Sequence, residues 1–513
     1  MTTISRHIAI VAALALAALP VRAATVDSTL TLIDRTVIEE DLVSSLVSLA
    51  WDNPATHQLQ RNYSYNQAGA STTIRQDRQD GENTAIDLQR GHRDFKWSLH
   101  ADAYIKYRTS TLWGNARYDN GHTAGMSWNE TSDIDIVKPF LLADSIVSTR
   151  LKSERYSFAG GYADVHGPWL WGATLSYTAG LHYRSTDPRP RNVTGNLYLS
   201  VGGGRHISEG YVATLAVNFN KYKQTNSVTF YSEMGNDKLF HLTGLTNDYG
   251  RFAGTAYSTY YKGYRWGAML GVAPTTTRGL HATASAHRMS MDNVLTTLNK
   301  LPMGHLTVNT IEGEIAWRDQ CWGVRGNAMA ARRVGTMNIF GDAASSVYPQ
   351  IGSHDIYHQN LFSAGVTGAW TQHWRVANLS LLGAVNYDHV NEVYASPTCH
   401  AQLNTLSTGI TARGTFHTGR SLLVAQGGWT LHHPTSDIFS MTGVTSELTG
   451  LKTALAHTHT LLSQNYNDWQ ARLAWYCPLG TKLALRVDAA YRLTAYAEQA
   501  RCHRGEATIT VLF

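Results

Sequence analysis

The chain ends in a strict alternation. Phe513, Val511, Ile509, Ala507 and Gly505 fall on one face of an extended strand, and Leu512, Thr510, Thr508, Glu506 and Arg504 fall on the other. Side chains of a β-strand point to opposite faces in turn, so one face here is apolar and the other polar and charged. The same rhythm recurs upstream. Phe95, Trp97, Leu99, Ala101, Ala103, Ile105 and Tyr107 alternate with Lys96, Ser98, His100, Asp102, Tyr104, Lys106 and Arg108. Trp171, Ala173, Leu175, Tyr177, Ala179 and Leu181 alternate with Thr174, Ser176, Thr178 and His182. Tyr211 to Phe219, Trp469 to Tyr476 and Leu483 to Leu493 repeat it. A soluble sandwich strand also alternates. Runs this long, with Tyr and Trp flanking the apolar face, fit better the strands of ~9–11 residues that cross a bilayer. The predicted fold is all-β: a transmembrane antiparallel up-and-down β-barrel.

Composition agrees. Tyr (26), Trp (14) and Gly (43) are abundant and Pro (12) is scarce. Tyr and Trp suit bilayer interfaces, having an apolar body and a polar tip. A mean hydropathy of -0.24 looks soluble because only every second strand residue faces lipid. The formal charge of +5 is mild, and no basic cluster is interleaved with stacking aromatics, which sets nucleic-acid binding aside. Cys321, Cys399, Cys477 and Cys502 are scattered without metal-finger spacing and read as free or lipid-facing thiols.

The first residues form a secretory leader. Arg6 and His7 precede an apolar run from Ile8 to Leu19, and Val21-Arg22-Ala23 supplies small residues for cleavage. The expected divisions are a signal peptide at 1–23, a helical hatch or plug at 24–57 and the barrel at 58–513. In the hatch, Leu30, Ile33, Val37, Leu42 and Leu46 lie near helical spacing, and the pattern stops before Asn53-Pro54-Ala55. Short turns are predicted at 165–168, 205–210, 262–265, 319–322, 371–374, 417–420 and 478–481. Long outer loops are predicted at 129–152, 223–250, 342–357 and 434–467. Up-and-down hairpins with both ends periplasmic need an even strand number, about 18 with a range of 14–20. No passenger domain and no large globular plug precedes the barrel pattern, which argues against an autotransporter and against a TonB-dependent receptor.

Three resemblances enter on particular residues. The terminal Phe513, with Ile509 and Val511, resembles the C-terminal assembly signal of bacterial outer-membrane proteins. Asn53-Pro54-Ala55 resembles the NPA element in the hatch of the long-chain fatty-acid outer-membrane transporter family. More broadly, through the stretches at 135–140 and 187–192, the chain is similar to uncharacterised large outer-membrane β-barrels of diderm bacteria. These imply an outer-membrane location, contact with membrane lipid and lipopolysaccharide, and insertion by the barrel-assembly machinery. They imply no substrate.

Candidate functional residues follow from the register. Arg108, Arg184, Arg325, Arg472, Arg486 and Arg492 point inward and would favour anions; the alternative is that they pair with inward acids such as Asp102, Asp488 and Glu506. Among 23 histidines, His432, His433, His457 and His459 form a weak candidate metal or haem-iron set in a late loop, and surface histidines are the plainer reading. Asp187-Pro188-Arg189-Pro190-Arg191-Asn192 could dock phosphate or stiffen a loop. No GxSxG, HExxH, P-loop or dinucleotide fingerprint occurs, so no enzyme and no cofactor is expected. The leading expectation is a monomeric passive channel for a small polar or amphipathic solute. A structural or assembly barrel partnering a surface lipoprotein, receptor or secretion complex, or a metal or haem uptake accessory, is the alternative.

Overall fold

The computed structural model of the chain describes residues 30–147, 150–231, 238–252, 254, 258–296, 299–343 and 347–513. The expected leader at 1–23 lies outside the described residues. The first wall strands are β1 (Tyr65–Arg78), β2 (Arg93–Lys106) and β3 (Ser110–Ala124). A short inserted strand, β4 (Leu141–Ala143), precedes β5 (Leu151–His166), β6 (Trp169–Tyr183), β7 (Arg189–His206) and β8 (Tyr211–Thr229). Two more inserted strands, β9 (Phe240–Gly244) and β10 (Asn247–Asp248), precede β11 (Ser258–Pro274), β12 (Gly279–Leu295), β13 (Leu301–Arg318) and β14 (Trp322–Phe340). The wall continues through β15 (Gln350–His373), β16 (Ala377–Tyr394), β17 (Cys399–Thr418) and β18 (Ser421–Met441). After the helix Thr449–Leu462 come β19 (Tyr466–Pro478), β20 (Ala484–Ala495) and β21 (Arg501–Leu512).

Eighteen of these strands form one sheet, each antiparallel to its neighbour in sequence. β21 pairs back onto β1, Val511 opposite Ala68 and Ile509 opposite Ala70, and this closes the barrel. Closure removes the edge strands that a bilayer could not hydrogen-bond. Trp97, Leu99, Trp171, Leu175, Leu215, Ile315, Val366 and Ile509 stand exposed on the outer face. An apolar jacket of that extent is untenable in water and natural against lipid. Ser98, Thr508 and Thr510, from the alternate positions, are buried inside. The expected register therefore holds from β2 to β21, and 18 strands is the number predicted.

Several predicted boundaries need correction. No turn occurs at 262–265, which lies within β11. Gly263 there makes room for Met291, whose Cβ would sit 3.1 Å from an added methyl, so this glycine serves packing; the turn falls after Pro274. The loop predicted from residue 434 starts after Met441. Pro434 sits beside a register shift opposite Asn404 and Thr405, where a strand tolerates proline. Arg108 is not in the lumen but exposed in the tight turn between β2 and β3.

Candidate functional site: the lumen and its two fillings

Residues 30–64 run round the inside of the barrel at the short-turn end. The helix Leu32–Glu39 begins with a reciprocal cap between Thr31 and Asp34, and packs Leu32, Ile33 and Val37 on Leu422, Val424, Ala474 and Leu512. Glu40 follows. It accepts Arg472 Nη1 and Nη2 at 2.7 and 2.8 Å, and Tyr476 Oη at 2.5 Å. Arg413 adds a second guanidinium at 3.1 Å. Leu46 then packs with Ala369. The Ser48 amide and hydroxyl and the Leu49 amide all donate to Glu314 of β13, at 3.1, 2.7 and 3.1 Å. Trp51 meets His281 of β12 edge-on, with ring centroids 5.7 Å apart.

Asn53, Pro54 and Ala55 are all buried next. The Asn53 side-chain oxygen accepts the Ala55 amide at 3.0 Å. This turn lies against Gly172 and Gly202, which face each other on β6 and β7. An added Cβ at Gly172 would come within 2.6 Å of the Pro54 carbonyl carbon, and one at Gly202 would collide with Asn53 Oδ1. His57 stacks on Trp113 of β3, with centroids 4.0 Å apart and planes 6° apart. The His57 and Gln58 carbonyls accept from Tyr104 and Lys106 of β2. Arg61 then forms a fork on Glu39, with Nε and Nη2 each at 2.6 Å, and Tyr63 Oη donates to the same carboxylate at 2.7 Å. The segment has come full circle and is clasped to its own start. Where a helical hatch or plug is expected at 24–57, the described residues form a hoop that continues to Ser64, and β1 begins at Tyr65.

The charges of the hoop are tuned by this setting. Burial raises the Glu40 carboxyl, but Arg472 and Arg413 bring it net below the ordinary value. Burial, then Arg61, push the His57 imidazole down to about 4. Asp52 is raised by burial and by the carboxylates of Glu312 and Glu314.

The long-loop end is filled differently. The connection after β3 folds inward and delivers Trp128, Phe140 and β4; the one after β8 delivers β9, which pairs with β4. These pack on Tyr222, Tyr261, Met291, Leu306, Tyr357 and Tyr394 of the wall. Leu448, Leu451 and Ala454, at and within the start of the helix Thr449–Leu462, join the same core. Phe140 and Pro139 sit over Gly304 and Gly335, where a Cβ would approach to 2.8 and 2.9 Å. One ion pair is enclosed: Arg184 Nη2 to Glu130 Oε1 at 2.6 Å, both side chains 2% exposed. Burial and the neighbouring Asp144 carboxylate push the Glu130 carboxyl well up, against the pull of Arg184.

On the lumen wall past the hoop lies a polar chamber of about 420 Å³, lined by His100, Asp102, Asn115, Arg117, Arg486 and Glu506, among others. It adjoins a space of about 460 Å³ beside the hoop that shares Gln67, Asp102, Asn115 and Arg486. The predicted arginines do not converge as a set. Arg472 binds Glu40 and Asp488, Arg492 binds Asp468, Arg325 faces Glu314 at 3.9 Å and Arg184 is in the cap. Arg486 alone of the six faces the chamber, donating to Thr510 Oγ1 at 3.1 Å.

The four histidines are not one loop cluster. His432 and His433 lie on β18, bonded to Ser407 at 2.8 Å and Asn465 at 2.7 Å. His457 and His459 lie on the helix, with His459 3.3 Å from Asp437. Among the described residues no group of three or more His, Cys, Asp or Glu side chains is placed to hold a metal. Arg189 bonds Asp187 at 2.6 Å and covers the Tyr231 ring, so that outer loop is internally braced. Cys399 is buried in the cap core rather than facing lipid, and all four cysteines are free. Ser285, His287 and Glu312 come together on β12 and β13, but serine (3.1 Å) and carboxylate (3.4 Å) meet the same Nε2. A nucleophile–base–acid relay needs both ring nitrogens, so this is a polar contact. Sequence reasoning missed Glu39, Glu40, Arg61 and Glu314. The run Gly202-Gly203-Gly204 within a strand pattern was the available signal for a close approach.

Comparison with known proteins adds the following. The chain is similar in fold to the structure of the FpvAI–pyocin S2 complex, at 6% identity over 87% of this chain and 73% of that one, TM-score 0.39. It is similar to the ferric preacinetobactin receptor BauA of Acinetobacter baumannii, at 9% identity over 86% and 80%, TM-score 0.37. It is also similar to the ferric-catecholate import receptor Fiu of E. coli K12, at 9% identity over 87% and 81%, TM-score 0.39. Likeness at this level speaks to neither ligand nor mechanism. No curated protein matches the chain. Residues 54–513 match the family described as a family of unknown function, DUF6850, and the chain belongs to that family.

Proposed function

We propose that this chain is a gated outer-membrane barrel that passes a small polar solute without its own energy source. The observation that carries the reading is the polar chamber on the lumen wall, adjoining a space beside the hoop, in a barrel whose two ends are filled by the hoop and the cap. The hoop, including Asn53, Pro54 and Ala55, acts as the inner gate. Its hold on the wall combines the charge-assisted contacts of Glu40 and Glu314 with several separate small apolar seats, so it can let go without exposing one large apolar core. The cap is the outer gate, and the helix Thr449–Leu462 is its separable part, since a cleft of about 240 Å³ runs between Lys138, Leu242 and Leu245 of the cap and Leu455 and His459 of the helix.

A second reading has its own support. Most inward arginines are neutralised by carboxylates and the outer half of the lumen has an apolar core, as a scaffold barrel requires. Such a barrel would serve a surface lipoprotein, receptor or secretion complex through its outer loops. Bilayer conductance separates the two. Passage predicts that loosening the gates by Glu40→Gln and Leu451→Asp produces stable current steps; a barrel silent in every such variant is a scaffold.

A further inference from the structure

The geometry points to the chamber as a binding site for a short zwitterionic peptide, a solute with a carboxylate at one end and an ammonium at the other. This deepens the reading of the lumen as a passage and rests on it. The inward charges of this wall are mostly spoken for: Arg472 by Glu40 and Asp488, Arg492 by Asp468, Arg117 by Asp119 at 2.8 Å. Three groups facing the chamber are not. Arg486 has Thr510 as its side-chain hydrogen-bond partner, and its Nε is buried without one. Asp102 accepts from the Gln67 amide at 3.1 Å and has no cation within ion-pair distance among the described residues. Glu506 likewise has none among the described residues, and lines the same volume.

These charges do not neutralise one another because the register keeps them apart. Arg486 pairs across the sheet with Thr510. Glu506 is four positions away on β21, ~13 Å along the strand. Isolated charges in a lumen walled by low-dielectric lipid are costly unless water or a ligand answers them. Asp102 is level with Gln67 and Leu512, six positions from Glu506 and ~20 Å along the strand, so the two carboxylates cannot share one ammonium. The Arg486 fork suits a carboxylate, and Glu506 at the other end of the Arg486–Glu506 span suits an ammonium, so together they answer a molecule carrying both. The spacing, shortened by the reach of the side chains, exceeds a single α-amino acid and suits an extended peptide of about three residues, ~10 Å long. The chamber volume of about 420 Å³ lies in the range of ~300–1,000 Å³ usual for small-ligand sites.

Titration calorimetry of the refolded barrel tests this with triglycine, N-acetyl-triglycine and triglycine amide. Both the wild type and Glu40→Gln are used, so that a closed hoop does not mask the site. Triglycine is expected to bind saturably, and each blocked form at least tenfold more weakly. Arg486→Gln should erase the penalty for amidation and leave the penalty for acetylation; Glu506→Gln should do the reverse. Equal binding of all three peptides, or no binding to either protein, overturns the inference. Binding with no conductance in any gate variant keeps the site and removes the passage. Conductance without discrimination among the peptides removes the site alone.

Discussion

The hoop and the cap occupy the same barrel and are held differently: the hoop by charge-assisted contacts and small apolar seats spread round the lumen, the cap mainly by one large apolar core. The hoop touches strands in turn round the lumen through Glu40, Glu314, His57 and Gln58, and clasps itself through Glu39 and Arg61. The cap is centred on one apolar core, Trp128, Phe140, Phe240 and Leu451 against Tyr261, Met291 and Tyr357, with the Arg184–Glu130 pair enclosed and the Lys138–Glu392 and Arg155–Asp133 pairs at its edge. Both rest on glycines of the wall, Gly172 and Gly202 below and Gly304 and Gly335 above. A charge-assisted attachment exchanges readily for water and answers to pH; an apolar core opens only by exposing its area. In the proposed passage the hoop is therefore the end expected to release more readily, and the cap is expected to open at its margin.

The largest expected effect breaks the cap. Phe140→Ala removes an aromatic that is 2% exposed and should cost about 3–5 kcal/mol. Hydrogen exchange read by mass spectrometry should then rise in 126–144 and 238–252 and stay unchanged in 30–64; a rise in both would mean that the two fillings are one unit. Glu40→Gln should cost the hoop about 1.5–3 kcal/mol through weakened hydrogen bonds to two guanidiniums, raising exchange in 30–64 only. Gly202→Ala sharpens the picture of the seat: its methyl meets Asn53, and overpacking of about 1–3 kcal/mol should unseat Asn53-Pro54-Ala55 while Gly203→Ala, whose nearest neighbour is 3.7 Å away, does not.

The effect of pH differs in sign between the two regions. His57 is held neutral, at about 4, against an ordinary value of about 6.5. Its contribution to the hoop is whole above about 6.5 and is lost as pH falls toward 4. Glu40, held low, adds loss of the same sign as pH falls below its unfolded value of about 4.3. Glu130 in the cap is pushed up, so its contribution is whole below about 4.3 and is lost as pH rises through its higher native value. Acidification from pH 7 to 4 should raise exchange in the hoop and not in 126–144, and His57→Gln should flatten the hoop's response.

The wall was legible because every strand carries its own signal. Leu99 faces lipid and His100 faces the lumen whatever else is true of the chain, and Arg486 and Asp488 could be placed inward the same way. The exceptions are positions where a residue serves something beyond its strand: Gly263, which admits Met291, and Pro434, carried at a register shift. The fillings were not legible for the same reason in reverse. Glu40 meets Arg413 and Arg472 across 373 and 432 residues, and no local spacing encodes such a contact. Asn53-Pro54-Ala55 was visible as a motif, but its seat on Gly172 and Gly202 depends on the folded wall. Of the six arginines, Arg108 lies in a turn, and which of the other five lacks a carboxylate depends on partners from other strands.

Single-channel recording of the refolded protein in a planar bilayer is the most direct test. Gates in series predict rare steps in the wild type, small increases in Glu40→Gln or Leu451→Asp alone, and stable steps in the double variant. A double variant that is folded, loosened at both ends by hydrogen exchange and still silent would contradict the passage and leave the barrel a scaffold.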